Sequence, residues 1–173
     1  MTFEEIYNDH KALVYNLALH YVQNIEDAEE IMQDVFLKVH QSLDSFKEKS
    51  SISTWMYRIT INQCLDFIKS KNRQKRFAFI TSLFSDKGDD VRQDAVERHH
   101  PGIQLENKEA LEKLMKHIND LPDQQKTALI LHKIEQKTQV EVGDIMNLSA
   151  KAVESLIQRA KTNLSKNLER GKG

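Results

Sequence analysis

The apolar residues of this chain recur at intervals of three and four, and this spacing decides which kind of fold is open to it. The first such segment, residues 2–22, repeats through Phe3, Ile6, Leu13, Val14, Leu17 and Tyr21. This period places an apolar stripe on a helix, whereas a half-buried strand requires alternation. The 5 Gly and 2 Pro are also too few for the many turns of an all-β protein. The sequence therefore predicts an all-α fold.

The periodic segments fall into two groups, separated by a stretch without a period. Helices are predicted at about 2–22, 26–44, 53–72, 105–119 and 122–135, followed by a helix-turn-helix that ends near 169. Residues 76–104 mix a short apolar patch with acids, Gly and Pro, which is typical of a linker with room for one helical turn at 79–84. We therefore expect two dissimilar helical domains, residues 1–75 and 105–170, tied by a linker that spans roughly 30 Å as a flexible coil.

Cysteine content and hydropathy limit the cellular compartments in which such a chain is expected. The single cysteine, Cys64, excludes an intramolecular disulfide. The polar N-terminus lacks the apolar core of a signal peptide, and no apolar run approaches the length of a membrane span. We therefore expect a soluble, cytoplasmic protein with no membrane insertion.

Charge is segregated along the chain, although the net charge is only -1. Residues 23–37 hold five acids and no base, and residues 69–76 hold five bases and no acid. Segregation on this scale indicates two surfaces for different partners. Each run taken alone is also explained by an ordinary solvated helix surface.

The predicted third helix is buried over most of its circumference and leaves one narrow polar stripe. At steps of about 100° per residue this stripe contains Trp55, Arg58, Asn62, Asp66, Lys69 and Arg73. A large aromatic in line with an amide and basic side chains is suited to binding phosphates and to reading or stacking on bases. The alternative is a solvent-facing stripe in which Trp55 marks the boundary of the core.

A polar loop, FKEKSSIST, precedes this helix and contains Lys47, Ser51 and Ser53. Hydroxyls and exposed backbone amides at a helix start suit a phosphate or an unpaired base. They also suit plain helix capping, with Ser51, Ser53 or Thr54 as the N-cap residue.

The predicted second helix carries a large apolar residue in the middle of its polar side. The helical wheel buries Ala28, Ile31, Met32, Val35, Phe36, Val39 and Leu43. The opposite side presents Glu30, Gln33, Asp34, Leu37 and Gln41. A leucine ringed by carboxylates and amides resembles a small protein interface that suits a basic partner, and an acidic surface would repel DNA.

The stretch QVEVGDIMNLSAKAVESLIQRAK, residues 139–161, has the outline of a helix-turn-helix. Gly143 is small enough for close approach of the second helix, Asn147 tolerates a left-handed turn, and Ser149 can cap the helix that follows. The inner side of the first helix is predicted to contain Val140, Ile145 and Met146.

The outer side of the second helix in this motif has the residues of a DNA reader. Its polar side chains are Lys151, Glu154, Ser155, Gln158, Arg159, Lys161 and Thr162. Gln can pair with adenine and Glu can accept from cytosine, so Glu154 is compatible with reading a groove. The alternative is a helical hairpin that contacts only protein.

Three segments in this order resemble the extracytoplasmic-function (ECF) sigma factors, the two-domain sigma subunits of bacterial RNA polymerase. Conserved region 2.2 is similar to NIEDAEEIMQDVFLKVHQSLDSF, and regions 2.3 and 2.4 are similar to ISTWMYRITINQCLDFIKSKNRQKRF. Region 4 is similar to LPDQQKTALILHKIEQKTQVEVGDIMNLSAKAVESLIQRAKTNL. The resemblance covers about residues 3–76 and 105–169 and implies the two helical domains of the sigma-70 family.

The resemblance implies three binding surfaces, no catalysis and no cofactor. In this family region 2.2 docks on the clamp helices of the polymerase β′ subunit. The resemblance implies this role for Glu30, Gln33, Asp34 and Leu37. The loop before the third helix and that helix itself contact the promoter −10 element in this family. The resemblance implies this role for Lys47, Ser51, Ser53, Trp55, Arg58, Asn62, Lys69 and Arg73. Region 4 sits on the polymerase β flap and reads the −35 element in this family. The resemblance implies the reading role for Lys151, Glu154, Ser155, Gln158, Arg159 and Lys161. An anti-sigma factor is a further expected partner.

The start of the recognition helix departs from the run small-Gly-Thr-Val-basic-Ser-Arg that many family members share. Residues 150–156 read AKAVESL, with Glu154 and Leu156 at positions that are often basic. We therefore expect the −35 sequence read by this protein to differ from that of typical members.

Two other functions are open on the sequence alone. A free-standing helix-turn-helix regulator would bind duplex DNA without polymerase. A metal-dependent enzyme would use His99, His100, His117 or His132. The first two are adjacent in the predicted linker, and the others lack a carboxylate or cysteine partner at ligand spacing, so we expect no metal site.

Overall fold

The computed structural model describes residues 1–47, 49–84 and 105–171, and its regular structure in these ranges is entirely helical, which confirms the all-α prediction. The helices are α1 (Phe3–Val22), α2 (Ile25–Ser42), α3 (Ile52–Phe84), α4 (Leu105–Asn119), α5 (Asp123–Leu129), α6 (Gln139–Met146) and α7 (Ala150–Arg170). None of these helices is long and apolar enough to cross a membrane. Residues 85–104 of the predicted linker, with His99 and His100, lie outside the described residues.

Reciprocal side-chain caps start two of the helices. Thr2 Oγ1 accepts a hydrogen bond from the Glu5 amide at 3.3 Å, and the Glu5 carboxylate accepts one from the Thr2 amide at 2.7 Å. This capping box starts α1, and Thr138 with Glu141 forms the same box at α6. The backbone amides of Thr2 and Thr138 donate to the carboxylates of Glu5 and Glu141, and these hydrogen bonds hold the pKa of both carboxyls below the usual value.

Helices α1, α2 and α3 pack into a three-helix unit, here called the first bundle. The wheel prediction for α2 is confirmed for five buried residues, Ala28, Ile31, Val35, Phe36 and Val39. Met32 and Leu43 are half-buried at the edge of this core. Met56, Ile61 and Cys64 of α3 close the core from the other side.

Helices α4 to α7 form the second bundle, in which α5 and α6 pack against α7. The predicted helix 122–135 begins one residue later, because Pro122 is the N-cap, and its carbonyl accepts from the Lys126 amide at 2.9 Å. A π-helical turn, Ile130–Ile134, continues α5, and the chain then reverses at Gln136 with a left-handed φ of 57°. Glu135 is thereby placed at the end of a buried turn.

The predicted helix-turn-helix geometry is confirmed. Asn147 ends α6 in the left-handed conformation with φ 58° and ψ 48°, and Ser149 Oγ accepts from the Ala152 amide at 3.1 Å to start α7. The Leu148 amide donates to the Gly143 carbonyl at 2.9 Å and closes the turn. A Cβ on Gly143 would lie 2.5 Å from the Leu148 carbonyl oxygen, so the close approach that requires glycine is to the turn itself.

The predicted inner position of Val140 is wrong, because its side chain is 62% exposed. Helix α6 buries Val142, Gly143 and Ile145 instead. On a helical wheel Val140 lies roughly 160° from Val142 and about 140° from Ile145. Of the three predicted residues, Ile145 is therefore buried, Met146 is half-buried and Val140 faces outward.

Helix α3 continues to Phe84, well beyond its predicted end near residue 72. Residues 72–81 are all exposed, so this part of the helix packs against no other described element. Its apolar side chains are 52% to 86% exposed and comprise Phe77, Phe79, Ile80, Leu83 and Phe84. The helical turn predicted at 79–84 is part of this extension. The rest was not predicted, because an unpacked helix has no buried side to impose a period on its sequence.

We expect Gly143→Ala to destabilise the second bundle. The added Cβ would meet a backbone oxygen that cannot rotate away, and the strain should cost about 1–3 kcal/mol of unfolding free energy in urea titrations. Gly171→Ala is the matched control, because its Cβ would meet no described atom closer than 3.5 Å. Equal losses at both positions would contradict the close-approach explanation.

We expect the Cys64 thiol to be unreactive in the folded protein. Burial raises its pKa to about 12, so almost none of it is thiolate at neutral pH. A chromogenic disulfide reagent should therefore label the chain in urea and leave the native protein unlabelled. Ser165→Cys, at an exposed position of α7, serves as the positive control, and rapid labelling of native Cys64 would overturn the prediction.

Candidate polymerase and DNA interfaces

The predicted polymerase-binding residues lie together on the outer side of α2, here called the acidic surface: Glu30, Gln33, Asp34 and Leu37. Leu37 is 57% exposed, and Glu30 and Gln33 are exposed around it. Asp34 is half-buried, and its Oδ2 accepts a hydrogen bond from Gln63 Nε2 of α3 at 2.9 Å. An exposed leucine beside a carboxylate of fixed orientation is suited to docking a basic protein surface.

The N-terminal half of α2 keeps most of its negative charge. Asp27 is paired with Lys71 of α3. Glu26, Glu29 and Glu30 are exposed and form no ion pair with another described residue. Negative charge at this end also suits the helix dipole, so these acids stabilise α2 as well as setting its surface potential.

The predicted −10 residues of the third helix form a line here called the α3 stripe: Trp55, Arg58, Asn62, Lys69 and Arg73. Asn62, Lys69 and Arg73 are exposed, whereas Trp55 and Arg58 are half-buried. Lys69 and Arg73, together with Arg76 and Asp66, line an open concavity of about 380 Å³. Three cations around one carboxylate favour an anionic ligand such as a phosphate.

The loop before α3 supplies the cap of that helix, and its role in binding a phosphate or a base stays a prediction. Ser51 Oγ accepts from the Thr54 amide at 3.1 Å, which makes Ser51 the N-cap among the three candidates. Lys47 is exposed, Ser53 is half-buried, and neither forms a side-chain hydrogen bond with another described residue. The Trp55 ring packs 4.8 Å from the ring of Phe46, so the loop covers one side of the indole.

All six predicted −35 residues are exposed on α7: Lys151, Glu154, Ser155, Gln158, Arg159 and Lys161. Opposite them Val153, Ile157 and Ala160 are buried against the rest of the second bundle. The recognition helix therefore presents its polar side to solvent along three turns. This is the geometry that lets a helix enter a major groove.

The two departures from the family's usual run differ in their surroundings. Glu154 is exposed among the candidate readers, whereas Leu156 is only 9% exposed and packs into the core. A buried side chain cannot contact a base edge, so Leu156 is excluded as a direct reader. The expected change in −35 preference therefore rests on Glu154.

Arg58 forms a contact between the bundles that the sequence did not predict. Its Nε donates to the Ile145 carbonyl oxygen at 3.0 Å, and its Nη2 donates to the Asp144 carbonyl oxygen at 2.6 Å. Both acceptors lie in the last turn of α6, where carbonyls lack partners within the helix. A side chain expected on a solvent-facing stripe is therefore bonded to the helix-turn-helix domain.

A cleft of about 480 Å³ separates α3 from the second bundle beside this contact. Asn62 and Arg58 line it from α3, and Asn147 and Gln124 line it from the opposite side. Asp123 also lines the cleft, and its Oδ2 lies 3.2 Å from Lys69 Nζ of α3, with the two side chains 44% and 64% exposed.

A polar cluster around Glu135 also joins the two bundles. Glu135 Oε1 lies 2.7 Å from His20 Nδ1, and its Oε2 accepts from the Tyr57 hydroxyl at 3.2 Å. Lys137 Nζ lies 5.3 Å from the centre of the Tyr57 ring. Burial, followed by the neighbouring Glu135 charge, raises the pKa of Tyr57. No sequence signal marks Glu135, because its partners come from distant parts of the chain.

The histidines considered as metal ligands have other surroundings or lie outside the described residues. His132 Nδ1 lies 2.7 Å from the Lys137 carbonyl oxygen, and His117 lies beside Gly171 at the end of α7. Within the described residues, no three His, Cys, Asp or Glu side chains are close enough together to hold a metal ion.

Comparison with known families matches both bundles. Residues 6–74 match sigma-70 region 2, and residues 111–164 match sigma-70 region 4. Each bundle therefore corresponds to one conserved region, and together the two matches span most of the chain.

Curated relatives match over nearly the whole length. The ECF RNA polymerase sigma factor SigW of Bacillus subtilis is 28% identical over 171 residues, which cover 96% of this chain and 88% of the relative. The ECF RNA polymerase sigma factor SigM of the same organism is 28% identical over 173 residues, with 99% and 98% covered.

Two solved structures share the fold. CnrH, solved with the cytosolic domain of CnrY, has a TM-score of 0.64 at 20% identity, with 97% of this chain and 88% of that chain covered. The sigma factor RpoE, solved with the anti-sigma factor NepR from Bartonella quintana, has a TM-score of 0.64 at 20% identity, with 96% of each chain covered. With both conserved regions present in order, the chain belongs to the sigma-70 family of RNA polymerase sigma factors, in its extracytoplasmic-function group.

Proposed function

We propose that this chain binds core RNA polymerase and directs it to specific promoters, with the first bundle opening the −10 element and the second reading the −35 element. The observation that carries the proposal is one chain with three separate surfaces of suitable chemistry, in the order that a sigma factor requires. These are the acidic surface, the α3 stripe and the outer side of α7. It acts in the cytoplasm as a binding subunit without catalysis or a cofactor.

The acidic surface is the docking site for polymerase. Leu37 supplies a central apolar contact, and Glu30, Gln33 and Asp34 supply the surrounding charge and hydrogen bonds for the clamp helices of the β′ subunit. The Gln63 hydrogen bond fixes the direction of the Asp34 carboxylate, so less conformational entropy is lost on binding. The second bundle sits on the β flap.

The α3 stripe opens the −10 element by binding bases that have left the stack. Trp55 offers a ring edge next to the loop, Asn62 offers an amide, and Arg73 offers a cation for phosphates. Binding only the unpaired form shifts the equilibrium from closed duplex to open DNA. Lys47 and the amides at the start of α3 hold the neighbouring backbone.

The near-neutral net charge of -1 fits a subunit whose DNA contacts act together. Each DNA surface is small, and two weak contacts joined in one complex bind far more tightly than either does alone. Polymerase presents both surfaces at once, so neither needs the strong positive potential of an independent DNA-binding protein.

Regulation by an anti-sigma factor is part of the same proposal. NepR is such a factor, and it was solved with a sigma factor of the same fold. A comparable inhibitor would act by covering one or more of the three surfaces.

We expect Leu37→Lys to weaken binding to core polymerase at least about tenfold, because it buries a cation where an apolar contact forms. The side chain is 57% exposed, so the substitution leaves the fold intact. Asp34→Lys should act in the same direction. The measurement is competition against a labelled sigma factor for core enzyme.

Asp9→Lys provides the matched control for these charge changes. Asp9 is exposed on α1, away from the acidic surface, and forms no ion pair with another described residue. Unchanged polymerase binding by the Leu37 and Asp34 variants would show that the docking surface is assigned wrongly.

We expect Glu154→Gln to change the −35 sequence preference and to leave polymerase binding unaltered. A carboxylate accepts from cytosine, whereas the amide of glutamine pairs with adenine, and each good pair is worth about 1–3 kcal/mol of discrimination. Transcription from a library with a randomised −35 element measures the shift. Glu169→Gln, an exposed change near the other end of α7, is the control. An identical ranking of promoters for wild type and Glu154→Gln would exclude Glu154 as a reader.

A further inference from the structure

The last three turns of α3, here called the α3 tip (residues 73–84), carry cations and large apolar side chains on one side of the helix. Residues 77–84 make only about two turns, too few to produce a period in the sequence, but at about 100° per residue their apolar side chains share an arc of about 160°. They are Phe77, Phe79, Ile80, Leu83 and Phe84, each 52% to 86% exposed. Three preceding cations, Lys69, Arg73 and Arg76, fall within the same arc. This side of the helix is therefore basic first and apolar toward its end.

The opposite side of residues 77–84 is small and has little free polarity. It contains Ala78, Thr81 and Ser82. Thr81 Oγ1 donates to the Phe77 carbonyl oxygen at 2.9 Å, and Ser82 Oγ donates to the Phe79 carbonyl oxygen at 2.7 Å. Both hydroxyls thus donate within the helix, and residues 77–84 contain no charged side chain. Such a segment loses little hydration when it enters an apolar medium.

The cations of the α3 tip are available to an anionic partner. Arg73, Lys75 and Arg76 are exposed, and none of them forms an ion pair with another described residue. Residues 69–76 hold five bases and no acid, so the local potential is positive although the net charge of the chain is -1. The concavity of about 380 Å³ that Arg73 and Arg76 line opens directly beside the apolar arc.

Among anionic partners, a phospholipid bilayer suits this surface best. The cations all precede Phe77, so residues 77–84, about 12 Å of helix, offer nothing to the phosphates of a DNA strand whose bases stacked on the rings. A protein interface of standard size takes roughly 20–30 residues from each side, whereas the α3 tip is one helix that packs against no other described element. A bilayer requires only one apolar side bordered by cations, and it adapts its shape to the helix.

We propose that the α3 tip binds the surface of an anionic phospholipid bilayer. The apolar arc enters between the headgroups, and Arg73 and Arg76 lie beside the lipid phosphates. Binding is reversible, because a single short helix buries too little apolar surface for a permanent anchor. The inference goes beyond the proposed function and does not depend on it.

The first test is sedimentation of the full chain with vesicles of phosphatidylglycerol and phosphatidylcholine in equal parts. The wild type should sediment with them, and it should bind vesicles of phosphatidylcholine alone at least about tenfold more weakly, because several cations lose their attraction to the surface. Added salt should weaken binding to the anionic vesicles, since it screens exposed charges.

The matched variants separate the α3 tip from the rest of the surface. Phe79→Ser combined with Leu83→Ser, here called the tip variant, should bind the anionic vesicles at least about tenfold more weakly, because two large apolar contacts are lost. Both side chains are exposed, so the fold is retained. Ile25→Ser combined with Val140→Ser removes two exposed apolar side chains from α2 and α6, and this control should bind like the wild type.

The basic part is tested in the same way. Lys75→Gln combined with Arg76→Gln should weaken vesicle binding about tenfold or more, because each cation near an anionic surface contributes to the attraction. Lys113→Gln combined with Lys116→Gln removes the same charge from exposed positions of α4, and it should leave vesicle binding unchanged.

The second test locates the α3 tip directly. Leu83→Cys accepts an environment-sensitive fluorophore, whereas the native thiol of Cys64 is buried. Anionic vesicles should shift the emission of this label to the blue, because the label enters an apolar medium. The same label on Ser165→Cys, at an exposed position of α7, should show no shift.

Each contrary outcome overturns the membrane proposal. The first is failure of the wild type to sediment with anionic vesicles, and the second is equal vesicle binding by wild type and tip variant. The third is a tip variant that keeps vesicle binding but loses affinity for a fluorescein-labelled single DNA strand, which would make the α3 tip a nucleic-acid surface. The proposed function is tested apart from these, by transcription with core polymerase in the absence of lipid. Failure of the wild type there would leave the vesicle results unaffected.

Discussion

Burial of one side of α3 is the constraint from which the arrangement of the binding surfaces follows. Met56 and Cys64 fix that side in the core of the first bundle, and residues three and four apart share a helix face, so the position of the polar stripe is fixed as well. One flank of the same helix holds the Asp34 carboxylate through Gln63, and the other reaches the second bundle through Arg58. A single packed helix therefore connects the surfaces proposed for polymerase, the −10 element and the −35 element.

Local chemistry made much of this structure predictable from sequence. Asn147 and Ser149 shape the turn of the helix-turn-helix through bonds to residues at most four positions away, and such contacts are visible in any short window. The helical wheel placed Leu37 and Glu154 on the exposed side, because a helix that packs on one side has apolar residues at intervals of three and four in its sequence. Membership of the family followed from the order of several such segments.

The parts that were missed depend on distant contacts or on their absence. The partners of Arg58 lie 86 and 87 residues away and are backbone carbonyls, which leave no trace in the choice of amino acids. The end of α3 packs against no described element, so its apolar residues show no period. Leu156 was expected to influence promoter choice because of its place in the family's run, but it lies on the inner side of the helical wheel with Val153 and Ala160, and its burial there removes it from the proposed DNA surface.

The length of α3 also sets the point from which the second domain is tethered. Its 33 residues form a rod of about 50 Å, and the last twelve extend roughly 18 Å past the core of the first bundle. The connecting segment therefore begins at the end of an exposed helix and not at the surface of the first bundle. Each residue turns a helix by about 100°. An insertion or deletion near Phe77 to Phe84 would therefore change the direction in which the connecting segment leaves α3, and with it the positions that the second bundle can reach.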